Sequence, residues 1–252
     1  MIRDVGNRQK QYSYSGGIMK IWVQIAVVAI LFGVAGTATL WAQKTTAFNF
    51  SRDSQTDAYS WLQQQGFVLK NGADDKSKFN LSFSANGLVV QALKPALGLL
   101  VKDGLRIKNF KKMTVQWGVN SYPAGANWDT DIHNEPLMIY VFFGNERYSS
   151  DSLFIPNSPP YIGFYLGQHD KVGGCHTGRH FTTGGRYICV ANPPAGSLIT
   201  SEIDLVAEFK RAFGDSIPMP SYISGISIEC DTSALEDGNT SSSFVKSIDF
   251  SH

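Results

Sequence analysis

From Gly66 onward, short runs of alternating apolar and polar residues are separated by clusters of Gly, Asn, Asp and Pro. This is the pattern of half-buried strands joined by turns. Strands are predicted at 66–69, 80–83, 88–92, 98–102, 113–119, 137–143, 161–166, 181–183, 186–190, 223–230 and 244–250. Met113, Val115, Trp117 and Val119 share one face of their run, as do Ile226, Ile228 and Cys230 of theirs. Leu137–Phe143 is apolar on both faces, which predicts a central strand. Asn86-Gly87 marks a hairpin with positive φ at both turn positions. One amphipathic helix is predicted over 201–213, with Ser201 and Asp204 resembling a capping box and Gly214 as its C-terminal cap. Short strands and a single helix predict an all-β fold, an antiparallel β-sandwich or jelly roll.

The first 42 residues differ in kind. Residues 21–42 (IWVQIAVVAILFGVAGTATLWA) carry no charge and follow Lys20, with Arg3, Arg8 and Lys10 upstream. A basic stretch, an apolar stretch and small residues near its end describe a signal peptide. As a helix the run would be about 33 Å long, enough to span a bilayer, so an uncleaved anchor is the alternative. Met19-Lys20 is itself a conventional start, which makes 1–18 an over-extended one. Either form places the remaining chain in the periplasm or outside the cell, with 21–42 as the only membrane segment. Residues 43–60 read as a linker or first edge segment, and 61–252 as the β domain.

Composition narrows the function classes. The 252-residue chain is 43% hydrophobic and 12% aromatic but only 17% charged, with a formal net charge of +1. Lys108, Lys111 and Lys112 are the nearest approach to a basic patch and read as a solvated turn, so no nucleic-acid partner is expected. Three cysteines (Cys175, Cys189 and Cys230) leave at least one thiol outside any internal disulfide. There is no G-x-S-x-G elbow, Walker loop or H-E-x-x-H run.

A longer-range order is also present. Trp61, Gly66-Phe67 and Gly87-Leu88-Val89-Val90 precede Val115-Gln116-Trp117-Gly118-Val119. An acidic loop at Asp129 and Asp131, the strands at 137 and 161, Glu208–Gly214, Ile226–Asp231 and Ile248-Asp249-Phe250 follow. This order resembles an uncharacterised family of exported bacterial proteins, a domain of unknown function whose members are similar to the galactose-binding-like jelly rolls of carbohydrate-binding modules. The chain departs from it in two loops. Asp129 and Asp131, with Glu135 beyond, stand where two adjacent acids are expected, and Glu236 and Asp237 replace a second Asp after Asp231. The resemblance implies a fold and no reaction.

Candidate chemistry lies in loops. Trp128, beside Asp129 and Asp131, and Tyr122 sit in polar loops where an aromatic ring can stack on a sugar. With Glu135 and Asp231 they form the expected ligand-binding set. The acidic loops could also coordinate calcium. Cys175, His176 and His180 are the weak metal candidates. Paired carboxylates are the machinery of glycoside hydrolysis. The leading expectation is a non-catalytic module binding carbohydrate or another small polar ligand without a cofactor. A cell-envelope structural or assembly protein with a protein partner comes second, and a glycan-acting hydrolase third.

Overall fold

The computed structural model describes residues 46–235 and 239–252. The leader at 1–42, with Glu236 and Asp237, lies outside them. Among the described residues no helix is long and apolar enough to cross a membrane.

Fourteen strands and two helices are found among the described residues. In chain order they are β1 (Thr46–Asn49), α1 (Ala58–Gln64), β2 (Val68–Lys70), β3 (Phe79–Ser84), β4 (Gly87–Ala92), β5 (Leu97–Lys102) and β6 (Ile107–Lys108). Then come β7 (Lys112–Ser121), β8 (Glu135–Phe143), β9 (Tyr161–Leu166), β10 (Cys175–His176) and β11 (Gly185–Ala191). The chain closes with β12 (Ile199–Asp204), α2 (Leu205–Phe213), β13 (Tyr222–Asp231) and β14 (Ser241–Ser251). They build a β-sandwich of the jelly-roll type. One sheet has six strands in the order β12-β7-β14-β4-β3, with β1 on β14. The other has eight in the order β10-β11-β9-β8-β13-β5-β2, with β6 on β13. Pairing is antiparallel except between β11 and β9.

Period-two alternation explains how the layers meet. Met113, Val115, Trp117 and Val119 of β7 are fully buried against Leu137, Ile139, Val141 and Phe143 of β8 and Ile226, Ile228 and Cys230 of β13, in one core. Central β8 lies between β9 and β13, which accounts for its continuous apolar run.

Several expectations need correction. Of the two readings of 43–60, the first-edge-segment one holds from Thr46 on and the linker one does not: β1 pairs with β14, and Phe50 is fully buried against Trp61 and Phe67. Among the described residues there are two α-helices, not one. In α1 the side chain of Asp57 accepts from the Ser60 N–H at 3.0 Å, capping a helix too short to show a clear period. The helix predicted from Ser201 begins at Leu205, because 199–204 pair with β7 as β12. Trp117 Nε1 donates to Ser201 Oγ at 3.0 Å, and Asp204 caps α2 by accepting from the Val206 and Ala207 amides. Long-range pairing here overrides local helix signals. Residues 181–183 form a turn, not a strand. The hairpin between β3 and β4 is present, but its turn centres on 85–86, and of the expected pair Gly87 alone has positive φ, +98°.

Candidate functional site

The eight-stranded sheet has a second face, and it is unusual for a surface. Met138, Tyr140, Tyr161, Tyr165, Tyr187 and Cys189 project from it, away from the sandwich core, and pack with Trp128 into a separate buried cluster. These positions alternate with the core residues of the same strands, so the patterning that makes the core also makes this layer. Loops at 144–160 and 177–182 rise beside it and enclose a cleft of about 1260 Å³.

Two glutamates lie in the cleft. Glu229 on β13 follows strict alternation: Ile226, Ile228 and Cys230 face the core, so Ser227, Glu229 and Asp231 face the cleft. Glu135 on β8 reaches the same face by a different route. Asp231 pairs with Glu135 and Glu229 with Met138, so β8 advances three residues while β13 advances two. The extra residue is a β-bulge, and Pro136 occupies it without a lost ladder donor. Without it, alternation would aim Glu135 into the core beside Leu137.

Both carboxyls are shielded, Glu135 being 2% and Glu229 6% exposed. Tyr140 Oη donates to Glu229 Oε1 at 2.8 Å, and Trp128 Nε1 donates to Glu135 Oε2 at 3.0 Å. The two carboxyls adjoin across β8 and β13 and repel each other when both are ionised. Burial, and then the neighbouring Glu229 and Asp231 carboxyls, push Glu135 well above the usual carboxylate range. Burial raises Glu229 to about 7, against hydrogen bonds from Glu135 and Tyr140 that lower it. The pair therefore favours keeping one proton between its two carboxyls. Burial also raises Asp231. The phenols of Tyr140, Tyr161 and Tyr187 are pushed up by burial and stay protonated donors; Tyr161 and Tyr187 share a 2.8 Å hydrogen bond.

Small residues make room for this layer. A Cβ on Gly163 of β9 would lie 2.3 Å from Met138 Sδ and 3.2 Å from Tyr140 Cε1, so only glycine lets these side chains cross the strand. Phe181, at the rim, has φ +55°, a costly conformation for a bulky side chain. It is held by Phe181 N–H to Ser150 O at 3.2 Å and Gly185 N–H to Phe181 O at 2.7 Å. Its ring stands 5.4 Å from Tyr161. Phe142 and Phe181 are the half-buried rings of this cleft.

The expected site residues divide. Trp128, Glu135 and Asp231 line the cleft together. Trp128 is no open stacking platform, however: it is 6% exposed, with rings of His133 and Tyr187 stacked on it at 4.1 and 4.4 Å. Asp170 holds its loop, accepting from the Trp128 N–H at 2.8 Å and the Tyr165 hydroxyl at 3.0 Å. Asp129 turns away, accepting from the Lys171 N–H at 2.9 Å with His176 Nε2 at 3.5 Å. The Asp131 side chain is 97% exposed. Tyr122 lies outside the cleft lining and donates to Pro193 O at 2.6 Å. Asp129 and Asp131 thus point in different directions from the one loop. Cys175 is exposed and His180 lines the cleft, while His176 faces Asp129. Among the described residues no group of three or more His, Cys, Asp or Glu side chains is arranged to hold a metal. All three thiols are free. Cys189 and Cys230 point to opposite faces of one sheet. Glu229, Tyr140, Tyr161 and Tyr187 were missed. The available signal was a lone Glu in an otherwise apolar central strand.

No family model matches the chain, and no curated protein does. Solved structures with a similar arrangement include the K1 cleaved adhesin domain of Lys-gingipain from Porphyromonas gingivalis W83, at 10% identity, covering 83% of this chain and 99% of that one, with a TM-score of 0.37. Winged bean acidic lectin in complex with methyl-α-D-galactose matches at 10% identity over 82% of this chain and 99% of its own, TM-score 0.40. A xylanase mutant matches at 10% identity over 82% and 86%, TM-score 0.39.

Proposed function

We propose that this protein binds a carbohydrate chain in the cleft on the outer face of its eight-stranded sheet. The observation that carries the reading is the second aromatic layer itself. A sandwich needs one core, yet this sheet also buries four tyrosines of β8, β9 and β11 with Trp128 and two glutamates on its other side. An apolar cleft with a few convergent polar groups is the usual form of a ligand site. Flat rings suit the apolar faces of sugars, and carboxyls and phenols suit their hydroxyls. Phe142 and Phe181, the half-buried rings, are the stacking surfaces. The leader pattern agrees with a glycan ligand met outside the cytoplasm, which cell fractionation tests directly.

The binding test is affinity electrophoresis and calorimetry against soluble polysaccharides: xylan, mixed-linkage glucan, galactan and mannan. Retention by at least one is expected, with Phe142→Ala and Phe181→Ala each weakening it about tenfold, or about 1.4 kcal/mol. Uniform failure to bind, or binding indifferent to both substitutions, removes the reading. A protein-partner reading has one observation behind it. Leu153 and Phe154, at the tip of the 144–160 loop, are 98% and 94% exposed. A stoichiometric partner recovered by the native protein and lost on Phe154→Ser would favour it.

A further inference from the structure

We propose that Glu135 and Glu229 are the acid and the nucleophile of a glycoside-cleaving centre on the floor of this cleft, an inference that rests on the glycan-binding reading. Two adjoining buried carboxyls cost more than the recognition of sugar hydroxyls requires. Each costs desolvation, and together they repel unless a proton is retained. The fold nevertheless spends a β-bulge in a central strand to bring Glu135 out of the core and onto the face of Glu229. It then supplies each with its own donor, Trp128 Nε1 for Glu135 and Tyr140 Oη for Glu229. A second feature points to an occupant. Ser227 Oγ, two residues from Glu229 on the same strand face, is in a residue 1% exposed, lines the cleft and has no hydrogen-bond partner. It is placed to meet a sugar hydroxyl. Buried polar groups are otherwise nearly always paired.

The spacing assigns the reaction type. Carboxyls that adjoin on diagonal positions of neighbouring strands suit the roughly 5 Å separation of retaining hydrolases better than the roughly 6.5–9.5 Å that leaves room for an attacking water. The glycosidic bond of the substrate enters beside the two carboxyls. Glu135 then turns its proton to the glycosidic oxygen, while the Glu229 carboxylate, steadied by Tyr140, attacks the anomeric carbon. The C–O bond to the leaving sugar breaks, its electron pair going to the oxygen that takes the Glu135 proton. A glycosyl ester on Glu229 remains. Water attacks the same carbon, giving its proton to the Glu135 carboxylate, and the ester C–O electrons return to Glu229. The net change is hydrolysis with retained anomeric configuration. The charged or titratable groups facing the pair are Asp231 and Tyr140 on β13 and β8, Tyr161 and Tyr187 on β9 and β11, and His133 in the loop before β8.

The test uses the full chain and the polysaccharides that it retains. Wild-type protein incubated with a retained polymer is expected to release new reducing ends, with a bell-shaped pH profile. Glu135→Gln and Glu229→Gln should keep the polymer and lose the rate by about 10³-fold or more. Glu229→Ala with added azide should yield a glycosyl azide of inverted configuration. A polymer that is retained but never cleaved by wild type overturns this inference and leaves the binding reading standing. Failure to retain any polymer removes both. Cleavage undiminished in Glu229→Gln overturns the assignment, and an unfolding transition measured on each variant shows that a lost rate is not a lost fold.

Discussion

Replacing Glu229 with Gln should stabilise the protein at alkaline pH, although Glu229 sits at the centre of the proposed site. The folded structure raises this carboxyl from 4.5 to about 7, chiefly by burial. In the unfolded chain it titrates near its ordinary value. The folded state therefore binds a proton over a range where the unfolded chain has lost it. Stability linked to this group is fully present below about pH 4.5 and declines as pH rises through 7. The interval corresponds to about 3 kcal/mol. Gln fills nearly the same volume, accepts from Tyr140 through its amide oxygen and does not titrate. Wild type and E229Q should thus unfold at similar temperatures at pH 4.5. At pH 8 the variant should unfold higher by roughly 6–12 °C, taking about 2–4 °C per kcal/mol for a domain of this size. Thermal unfolding by circular dichroism across pH 4.5–8.5 measures this. Parallel curves, or a variant less stable at pH 8, would refute the claim that an unwelcome buried charge sits at this position.

Other consequences are expected from the packing. Gly163→Val should destabilise the protein by about 1–3 kcal/mol through collision with Met138 and Tyr140 and should abolish polysaccharide retention, both readable by unfolding and affinity electrophoresis. Phe50→Ala should cost about 3–5 kcal/mol in urea unfolding because the ring is fully buried; a neutral result would restore the linker reading of 43–60. Asp204→Ala removes the one oxygen that accepts both cap hydrogen bonds of α2 and should cost about 1 kcal/mol, whereas Ser201→Ala should leave the start of α2 unmoved and disturb Trp117 fluorescence.

The sandwich was largely legible because its core strands obey period two. Met113 to Val119 and Ile226 to Cys230 could be assigned to a buried face from alternation alone, and the two-sided apolar run at 137–143 marked the sheet centre. The short pieces were not legible. β1 and β12 are strands because β14 and β7 offer them open edges, and nothing local in TAFN or in the helix-like 201–204 announces that. The site was half visible. Glu135 and Asp231 were singled out for lying in acidic loops, while the structure gives them a different reason, the facing positions of two central strands. Asp129 and Asp131 shared the compositional signal and lack that placement. Glu229 was overlooked because its strand was read for its core face. Alternation there singles out only the face of Ile226, Ile228 and Cys230, whereas the tyrosine layer buries the other face as well.

The Pro136 bulge has a consequence for how such a protein can change over time. It acts as a phase shift: downstream of it the alternation of β8 is undisturbed, so Leu137 through Phe143 keep their places whether or not the added residue is present. Deleting one residue there would return Glu135 toward the interior and leave a sandwich with the same layers and no acid. Inserting it again would restore the pair. Chemistry on this scaffold can therefore be lost or regained by a single-codon change that the hydrophobic core hardly registers, and relatives of nearly identical architecture are expected to fall on both sides of that line.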